Sequence, residues 1–330
     1  MATGKGADET VARVHLGGLD VSAQGLGCMG MSELYGAGDW DAGIATIHRA
    51  LDLGVTLLDT ADIYGAGHNE VLVGRAIATS AHDRDAVQVA TKFGVDRTGG
   101  DSAELSVRGE AAYVRRSCDT SLLRLGLDAI DLYYIHRPPT NADIEETVSA
   151  MAELVVTGKV RHIGVSEFDA DQLRRAHAVH PITALETEYS LWSRDVEALA
   201  PVLSELGIGL VAYSPLGRGF LTASVDLNSL RPDDYRNFLP RFQGEAAKAN
   251  QTIADTVRTV AEDLAVTPAH VALAWVQAQS ERLGLPIVAI PGTKRTKWLE
   301  QNAAALSVRL DAATLERLDG LAGLVAGDRY

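Results

Sequence analysis

Four side chains that suit proton transfer stand at the ends of three apolar, strand-like segments of the chain. Asp59 ends the first segment, and Tyr64 follows it by five residues in a glycine-rich loop. Lys92 ends the second segment and His136 follows the third. Because the pKa of a free tyrosine is about 10, its hydroxyl is a weak acid, and a neighbouring ammonium makes proton donation easier. A carboxylate paired with the lysine and a neutral histidine as hydrogen-bond donor complete a group suited to protonating a carbonyl that receives a hydride.

A lone acidic or basic residue at a strand end is more often a cap or a surface group than a catalytic one. Four such residues in this order, with the short spacing between Asp59 and Tyr64, are difficult to attribute to chance. The four side chains meet only if the three segments lie side by side with their ends on one face. The elements that position them therefore decide whether the site exists.

Short apolar runs alternate with amphipathic segments along most of the chain. Strands are predicted near residues 25–28, 55–59, 87–91, 130–135, 160–165, 183–188, 208–213 and 286–290. Helices are predicted near residues 40–53, 68–79, 109–125, 144–157, 169–179, 195–206, 245–278 and 295–305. Such alternation is typical of parallel strands joined by right-handed crossovers. Eight units predict an α/β fold, a closed (β/α)₈ TIM barrel, in which the strand ends converge on the C-terminal mouth.

The segment before the first unit predicts a β-hairpin, because Gly17 and Gly18 separate two short alternating runs. We expect this hairpin to close the N-terminal end of the barrel. Residues 1–11 are small and polar and predict a disordered tail. A doubly wound open sheet is the competing fold, but its GxGxxG motif is missing: GLGCMG at 25–30 lacks the third glycine at the right offset.

Composition limits the classes of function. The chain has 330 residues, of which 46% are hydrophobic, and α/β barrels commonly exceed ~200 residues as one domain, so we expect a single domain over residues 1–330. The formal net charge of −14 argues against nucleic-acid and anionic-membrane partners. Cys28 and Cys118 belong to no CxxC or Cys/His cluster, which indicates a reducing compartment. With no signal-like start and no run of ~18 apolar residues, we expect a soluble, cytoplasmic protein that binds a small molecule.

The chain resembles the aldo-keto reductases over nearly its whole length. LLDTADIYG, VATKFG and DLYYIHRPP match the catalytic tetrad of that family, which implies Asp59, Tyr64, Lys92 and His136 as its members and Tyr64 as the proton donor. GLGCMGMS, GHNE, EYSLWSR, AYSPLGRGFL and IPGTKR look closest to the branch of perakine reductase and related bacterial reductases. The resemblance implies reduction of aldehydes or ketones by NADPH, which lies extended across the barrel mouth without a Rossmann domain or a metal.

The 2′-phosphate of NADPH requires fixed cations, and Lys294 and Arg295 follow the last strand, where barrel phosphate sites cluster. Thr293 and the following helix start would assist, although such a basic pair alone fits an exposed helix face. The resemblance places Gln301 and Asn302 near the adenine. Trp298 of the same helix suits either adenine stacking or packing.

The loop after the seventh strand is expected to hold the middle of the cofactor, although a plain turn is the alternative. The resemblance implies that Tyr213 stacks on the nicotinamide ring and that Ser214, Leu216 and Arg218 approach the pyrophosphate. Cys28 and Met29, after the first strand, are also predicted to contact the cofactor.

Carboxamide recognition departs from the commonest pattern of the family. Many members have Ser-Asn and Gln where this chain has Ser166-Glu167 and Glu186. An ionised glutamate only accepts hydrogen bonds, so Ser166 must supply the donor unless one glutamate is protonated. Two carboxylates beside the ring predict that Glu186 weakens NADPH relative to NADP⁺, compared with a glutamine.

The substrate pocket is predicted, by position after strand ends or by the resemblance, to include Tyr35, Phe93, Arg137 and Trp192. Apolar and aromatic walls suit aromatic or medium-chain carbonyl compounds, and Arg137 suits a polar or anionic substituent, although each residue also suits plain packing. Residues 220–244 predict a flexible lid. Two other functions are open: a cofactor-sensing subunit like the potassium-channel β subunits, and a metal-dependent barrel hydrolase, for which an HxH motif is missing.

Overall fold

The computed structural model describes residues 11–36, 38–96, 106–232 and 234–330. Within these residues, eight parallel strands form one curled sheet, and two short antiparallel pairs lie outside it. Numbered along the chain, the strands are β1 (Arg13–Leu16), β2 (Leu19–Ser22), β3 (Leu26–Gly27), β4 (Leu57–Asp59), β5 (Gln88–Phe93), β6 (Val95–Asp96), β7 (Ser106–Val107), β8 (Ile130–Ile135), β9 (Val160–Ser166), β10 (Ala184–Glu188), β11 (Gly209–Tyr213) and β12 (Ile287–Ala289).

The eight-stranded sheet closes on itself. Its strands follow one another in chain order from β3 to β12, with β6 and β7 left out. Parallel bridges from Gln24 to Ala289 and from Gly27 to Gly292 join the first strand to the last. A Cβ on Gly27 would lie 2.9 Å from the carbonyl oxygen of Ile290, so the closure requires glycine there. The predicted (β/α)₈ barrel is confirmed.

Helices follow the strands around the outside of the barrel. The α-helices are α1 (Trp40–Asp52), α2 (His68–Thr79), α3 (Ala111–Leu125), α4 (Ile144–Val156), α5 (Ala170–Val179), α6 (Ala200–Leu206), α7 (Gly244–Asp263), α8 (Pro268–Leu283), α9 (Thr296–Ala304) and α10 (Ala312–Asp319). The predicted helical region 245–278 divides because Pro268 starts a new helix, whose first turn Thr267 caps through His270. None of the helices in the described ranges is long and apolar enough to cross a membrane.

The N-terminal hairpin turns at Gly17 and Gly18 as predicted, and its two strands pair antiparallel from Arg13–Ser22 to Leu16–Leu19. Leu16, Leu19 and Val21 are buried in a cluster with the inward-facing residues of the barrel strands. A Cβ on Gly209 would lie 2.4 Å from a methyl group of Leu16, so the hairpin fits closely against β11. The hairpin therefore closes the barrel as predicted.

Several parts of the chain differ from their prediction or lie outside what the structure describes. The pair β6–β7 and helix α10 were not predicted, and of the predicted tail, residues 1–10 lie outside the described residues. The segment predicted as a lid contains short 3₁₀-helices at Gly217–Thr222, Leu227–Ser229, Tyr235–Phe238 and Pro240–Phe242. Its aromatic residues Phe220 and Phe242 are buried against Trp192, so both ends of the segment pack onto the barrel.

Candidate active site

A layer of polar residues lies next to the hydrophobic cluster that the hairpin forms with the inward-facing residues of the barrel strands. Leu57, Ala90 and Ala184 face inward and pack in the cluster with the hairpin. Because side chains alternate along a strand, the residue two positions further on faces inward as well. On these three strands the next inward-facing residues are Asp59, Lys92 and Glu186. Strand alternation thus brings the predicted Asp and Lys together at the C-terminal mouth, with a second carboxyl group beside them.

Lys92 is the centre of this layer. Its Nζ donates a hydrogen bond to Asp59 Oδ1 at 2.6 Å and to the carbonyl oxygen of Thr60 at 2.9 Å. Glu186 Oε1 lies 3.3 Å from the same Nζ. The side chain of Lys92 has no exposed surface, and those of Asp59 and Glu186 are 5% and 3% exposed. The Asp59–Lys92 pair was expected, whereas the contact of Glu186 with Lys92 was not.

Tyr64 and His136 complete the group. Tyr64 begins a 3₁₀ turn, Tyr64–Gly67, in which Gly65 and Ala66 have left-handed backbone angles. Its ring meets that of His136 edge to face, with centroids 5.9 Å apart. The Lys92 ammonium lies 5.3 Å from the centroid of the Tyr64 ring. All four predicted residues therefore lie in one cluster, in which Asp59 and Lys92 are buried and Tyr64 and His136 are half-buried.

Burial and charge set the proton affinities of the cluster. Burial raises the pKa of Tyr64 above its usual value, Lys92 opposes that rise, and Asp59 and Glu186 add to it. Burial lowers the pKa of Lys92, but the charges of Asp59 and Glu186 outweigh burial and raise it. Lys92 therefore acts on Tyr64 in the predicted direction, yet burial and the two carboxyl groups outweigh it.

A second set of hydrogen bonds fixes the loops around the cluster. Thr60 donates from Oγ1 to Asn69 Oδ1 at 2.6 Å, and Asn69 donates from Nδ2 to the carbonyl oxygen of Cys28 at 2.9 Å. The buried Glu70 accepts hydrogen bonds from Thr91 at 2.8 Å and from Arg124 at 3.1 Å. Sequence reasoning missed these positioning residues, although two adjacent polar residues on the buried face of α2 are a usable signal.

The residues predicted near the nicotinamide lie together at the mouth. Glu167 has a left-handed backbone with φ of 60°. Its Oε1 accepts hydrogen bonds from the Tyr213 hydroxyl at 2.8 Å and from Thr187 at 2.9 Å. Burial raises the pKa of Glu167, but Arg329 and Arg137 together lower it by more, so this pKa lies below its usual value. Glu167 is thus ionised and only accepts hydrogen bonds.

The last residues of the chain, 326–330, lie across this part of the mouth, and we call them the C-terminal strap. The strap is fixed to α7, since the amide of Ala326 donates to Asn250 Oδ1 at 2.8 Å. Arg329 forms an ion pair with Glu167, and the hydroxyls of Tyr330 and Tyr213 are 2.6 Å apart. No periodicity or motif in the sequence pointed to these contacts.

The loop predicted to hold the pyrophosphate contains an arginine that is already paired. Arg218 donates from Nη2 to Glu188 Oε2 at 3.0 Å, and its guanidinium lies 5.5 Å from the Tyr330 ring centroid. Its side chain is 8% exposed. Ser214, with φ of 49°, and the half-buried Leu216 belong to the same loop. Glu188 was missed, although its spacing from Glu186 by two residues on one strand places both on the same face.

The residues predicted for the 2′-phosphate and adenine lie on one loop and the start of α9. Lys294 donates from Nζ to the carbonyl oxygens of Tyr35 and Gly36, at 2.9 and 3.1 Å. The exposed Arg295 is the N-cap residue of α9 and makes no side-chain capping hydrogen bond. Its amide donates to Thr293 Oγ1 at 3.2 Å. Further along α9 lie exposed Trp298, half-buried Gln301 and buried Asn302.

Three other predicted residues differ in their burial. The Cys28 side chain is fully buried in the hydrophobic core, and its amide donates to the Asp59 carbonyl oxygen at 2.9 Å. Met29, which follows it, is half-buried. Arg137 is half-buried and donates from Nη1 to Ser166 Oγ at 3.3 Å.

Two residues predicted for the substrate pocket are core residues instead. Phe93 is fully buried and stacks on Tyr133 at 4.9 Å, because it alternates with inward-facing Lys92 and so faces the helices. Trp192 is 3% exposed and stacks on Phe220 at 4.9 Å. Position after a strand end did not show on which side of the strand or loop these side chains lie.

Comparison with known proteins adds independent findings. A family model described as "Aldo/keto reductase family" matches residues 25–322. The solved structure of the glycerol dehydrogenase AKR11B4 from Gluconobacter oxydans is similar with a TM-score of 0.83 at 28% identity, covering 96% of this chain and 95% of that one. A thermostable aldo-keto reductase, Tm1743, in complex with the inhibitor epalrestat is similar with a TM-score of 0.73 at 29% identity, covering 94% of this chain and 100% of that one. The holo form of AKR11C1 from Bacillus halodurans is similar with a TM-score of 0.75 at 25% identity, covering 97% of this chain and 98% of that one.

Proposed function

Because the chain belongs to the aldo/keto reductase family, whose members are nicotinamide-dependent oxidoreductases of carbonyl compounds, we propose that it reduces aldehydes or ketones with NADPH and with Tyr64 as the proton donor. The observation that carries this proposal is the cluster in which Lys92 contacts Asp59 and lies beside the Tyr64 ring. His136 packs against the same ring. The finer resemblance, to the branch of perakine reductase, stays a prediction.

The residues around the mouth fit NADPH. The exposed Arg295 and the uncapped start of α9 offer positive charge and free amides to the 2′-phosphate. Arg218 offers a guanidinium to the pyrophosphate once it leaves Glu188, and Tyr213 offers a ring to the nicotinamide. Ser166, Glu167 and Glu186 are assigned to the carboxamide. Gln301 and Asn302 remain the residues assigned to the adenine.

A bound NADPH supplies a hydride to the carbonyl carbon. Tyr64 donates its hydroxyl proton to the carbonyl oxygen, which His136 orients through a hydrogen bond. Lys92 stabilises the Tyr64 phenolate that forms, and Asp59 holds the ammonium in place at 2.6 Å. Because Lys92 and Asp59 are buried, water competes poorly with the interaction between them.

The substrate class is proposed in outline. Tyr35 and Arg137 border the mouth and suit a carbonyl compound with an aromatic part or a polar substituent. A similar structure belongs to a glycerol dehydrogenase, so short hydroxyaldehydes and hydroxyketones are included among the candidate substrates.

The test is oxidation of NADPH by the purified protein with a panel of aromatic aldehydes, aliphatic aldehydes, ketones and glyceraldehyde. We expect turnover by the wild type, and a loss of about 10²–10⁴-fold in Tyr64→Phe, because that variant lacks the proton to donate. NADPH binding, followed by fluorescence, should be nearly unchanged in the variant. Turnover retained by Tyr64→Phe would refute Tyr64 as the acid. NADPH binding without turnover of any panel member would favour a cofactor-sensing role.

A further inference from the structure

Lys92 lies between two buried carboxyl groups, one more than its charge can balance. Its Nζ is 2.6 Å from Asp59 Oδ1 and 3.3 Å from Glu186 Oε1. If both carboxyl groups were ionised, the three side chains would have a net charge of −1 with almost no exposure to water. An unbalanced buried charge is costly, and a buried group usually avoids that cost by changing its protonation state. The arrangement therefore favours one proton shared by the two carboxyl groups.

The outer oxygens of the two carboxyl groups point to the same conclusion. Asp59 Oδ2 and Glu186 Oε2 are buried, and neither receives a hydrogen bond from the residues that the structure describes. An ionised carboxylate can only accept, whereas a protonated carboxyl can also donate. Because Lys92 is 0.7 Å closer to Asp59, the ionised member is Asp59 and the proton belongs on Glu186. Burial raises the pKa of Glu186 to about 8, the charge of Asp59 raises it too, and Lys92 opposes them.

We propose that Glu186 holds a proton at neutral pH and returns it through Lys92 to Tyr64 after Tyr64 has protonated a carbonyl oxygen. This inference rests on the proposed function. The O–H bond of Tyr64 breaks as the substrate oxygen gains its proton. Lys92 then gives an N–H proton to the phenolate oxygen, and Glu186 gives its O–H proton to the Lys92 nitrogen. Tyr64 and Lys92 end as they began, Glu186 ends ionised, and solvent restores its proton after turnover.

Charge balance favours this order of events. Hydride transfer leaves one more positive charge on the bound cofactor, and proton loss from Glu186 leaves one more negative charge beside Lys92. The total charge of the buried site is therefore the same before and after the chemical step, which avoids creating an unpaired charge there. A glutamine at this position cannot hold the proton, so a glutamine variant must take its proton from solvent during the step.

Glu186 is the group of this cluster expected to titrate near neutral pH. Asp59, Lys92, Tyr64 and Tyr134 are the ionisable groups that interact with it. Burial raises the pKa of Tyr134 well above its usual value, with the charges of Glu186 and Asp59 acting in the same direction. The pKa values of Lys92 and Tyr64 are also raised, so all three keep their protons between about pH 6 and 9.

The decisive experiment is a single turnover in weak buffer with a pH indicator, using enzyme loaded with NADPH and a carbonyl substrate from the panel. In the wild type at pH 7 we expect NADPH oxidation to precede proton uptake from solution by a measurable delay. In Glu186→Gln the two signals should coincide. Glu205→Gln, an exposed residue of α6 paired with Arg174, is the matched control and should retain the delay. Coincident signals in the wild type, or a delay retained in Glu186→Gln, would overturn the proposal.

A second measurement needs neither turnover nor a change at Glu186. In Asp62→Asn, which removes a second carboxyl group with a pKa raised to about 7, the infrared band of a protonated carboxyl group should disappear as the pH rises through about 8. Its absence at pH 7 in that variant would also overturn the inference. If no panel member is turned over, the proposed function fails and the infrared titration alone decides whether Glu186 holds a proton. If turnover occurs with coincident signals, the reductase stands and only the role of Glu186 fails.

Discussion

At the scale of single residues, the unequal distances from Lys92 to its two carboxyl groups decide which one is ionised. Replacing Asp59 by Asn removes the closer negative charge and leaves Glu186 as the carboxyl partner of Lys92. We therefore expect Asp59→Asn to lower the pKa of Glu186 from about 8, because the repulsion by Asp59 is lost and the ammonium then favours the ionised form. An infrared titration, read as the difference from the double variant Asp59→Asn/Glu186→Gln, should show the protonated carboxyl band of Glu186 lost at a lower pH than in the wild type.

The double variant Asp59→Asn/Glu186→Gln is the reference, since it lacks both carboxyl groups and keeps the band that Asp62 and other carboxyl groups contribute. A Glu186 band that is lost at the same pH in Asp59→Asn and in the wild type would mean that burial alone, not the competition for Lys92, holds the proton on Glu186. The tetrad residues could be found from the sequence because Asp59, Lys92 and His136 stand at strand ends and Tyr64 follows Asp59 by five residues. The contact of Glu186 with Lys92 could not, because it depends on how β5 and β10 are staggered around the closed barrel.

At the scale of elements, the C-terminal strap lies where the cofactor is proposed to bind. Arg329 pairs with Glu167, and Tyr330 contacts the Tyr213 hydroxyl and lies beside Arg218. We expect deletion of residues 328–330 to increase the rate of NADPH association several-fold. The deletion uncovers Tyr213 and Arg218, the residues proposed to bind the nicotinamide ring and the pyrophosphate. Stopped-flow quenching of tryptophan fluorescence measures this rate.

Deleting only these three residues keeps the hydrogen bond between Ala326 and Asn250, so that α7 is not disturbed. Arg309→Ala, at an exposed arginine on the link between α9 and α10, is the control and should leave the association rate unchanged. An unchanged or slower rate in the truncated protein would place the strap outside the path of the cofactor.

The elements also differ in how much of them the sequence predicted. Apolar runs that alternate with amphipathic segments located the barrel strands within a few residues, and Gly17-Gly18 located the hairpin. The strap has neither periodicity nor a turn motif, because what holds it are single contacts to distant residues such as Asn250. For the same reason Phe93 was assigned to the wrong side: the sequence located the end of β5 but not which of two neighbours, Lys92 or Phe93, faces inward.

At the scale of the whole molecule, a proton held on a buried carboxyl links folding stability to pH. The pKa of Glu186 is raised from 4.5 to about 8, mainly by burial. Its contribution to stability is therefore fully present below about pH 4.5 and is lost as the pH rises towards 8. Asp62, whose pKa burial and the charge of Glu70 raise to about 7, acts in the same direction. Unfolding of the wild type alone cannot separate the two groups.

The difference between wild type and Glu186→Gln isolates Glu186 together with its partner Asp59, because Asp62 and the titrating residues outside this pair cancel. Between pH 5 and pH 8 the free energy of unfolding of the variant minus that of the wild type should increase by up to about 1.4 kcal/mol per pH unit. Urea unfolding at each pH measures this difference, with Glu205→Gln as a variant that should track the wild type. A difference that stays constant over this range would mean that Glu186 is ionised throughout, and Lys92 would then balance one of two permanent charges. A rising difference would show that the folded barrel stores a proton beside Lys92 before any substrate arrives.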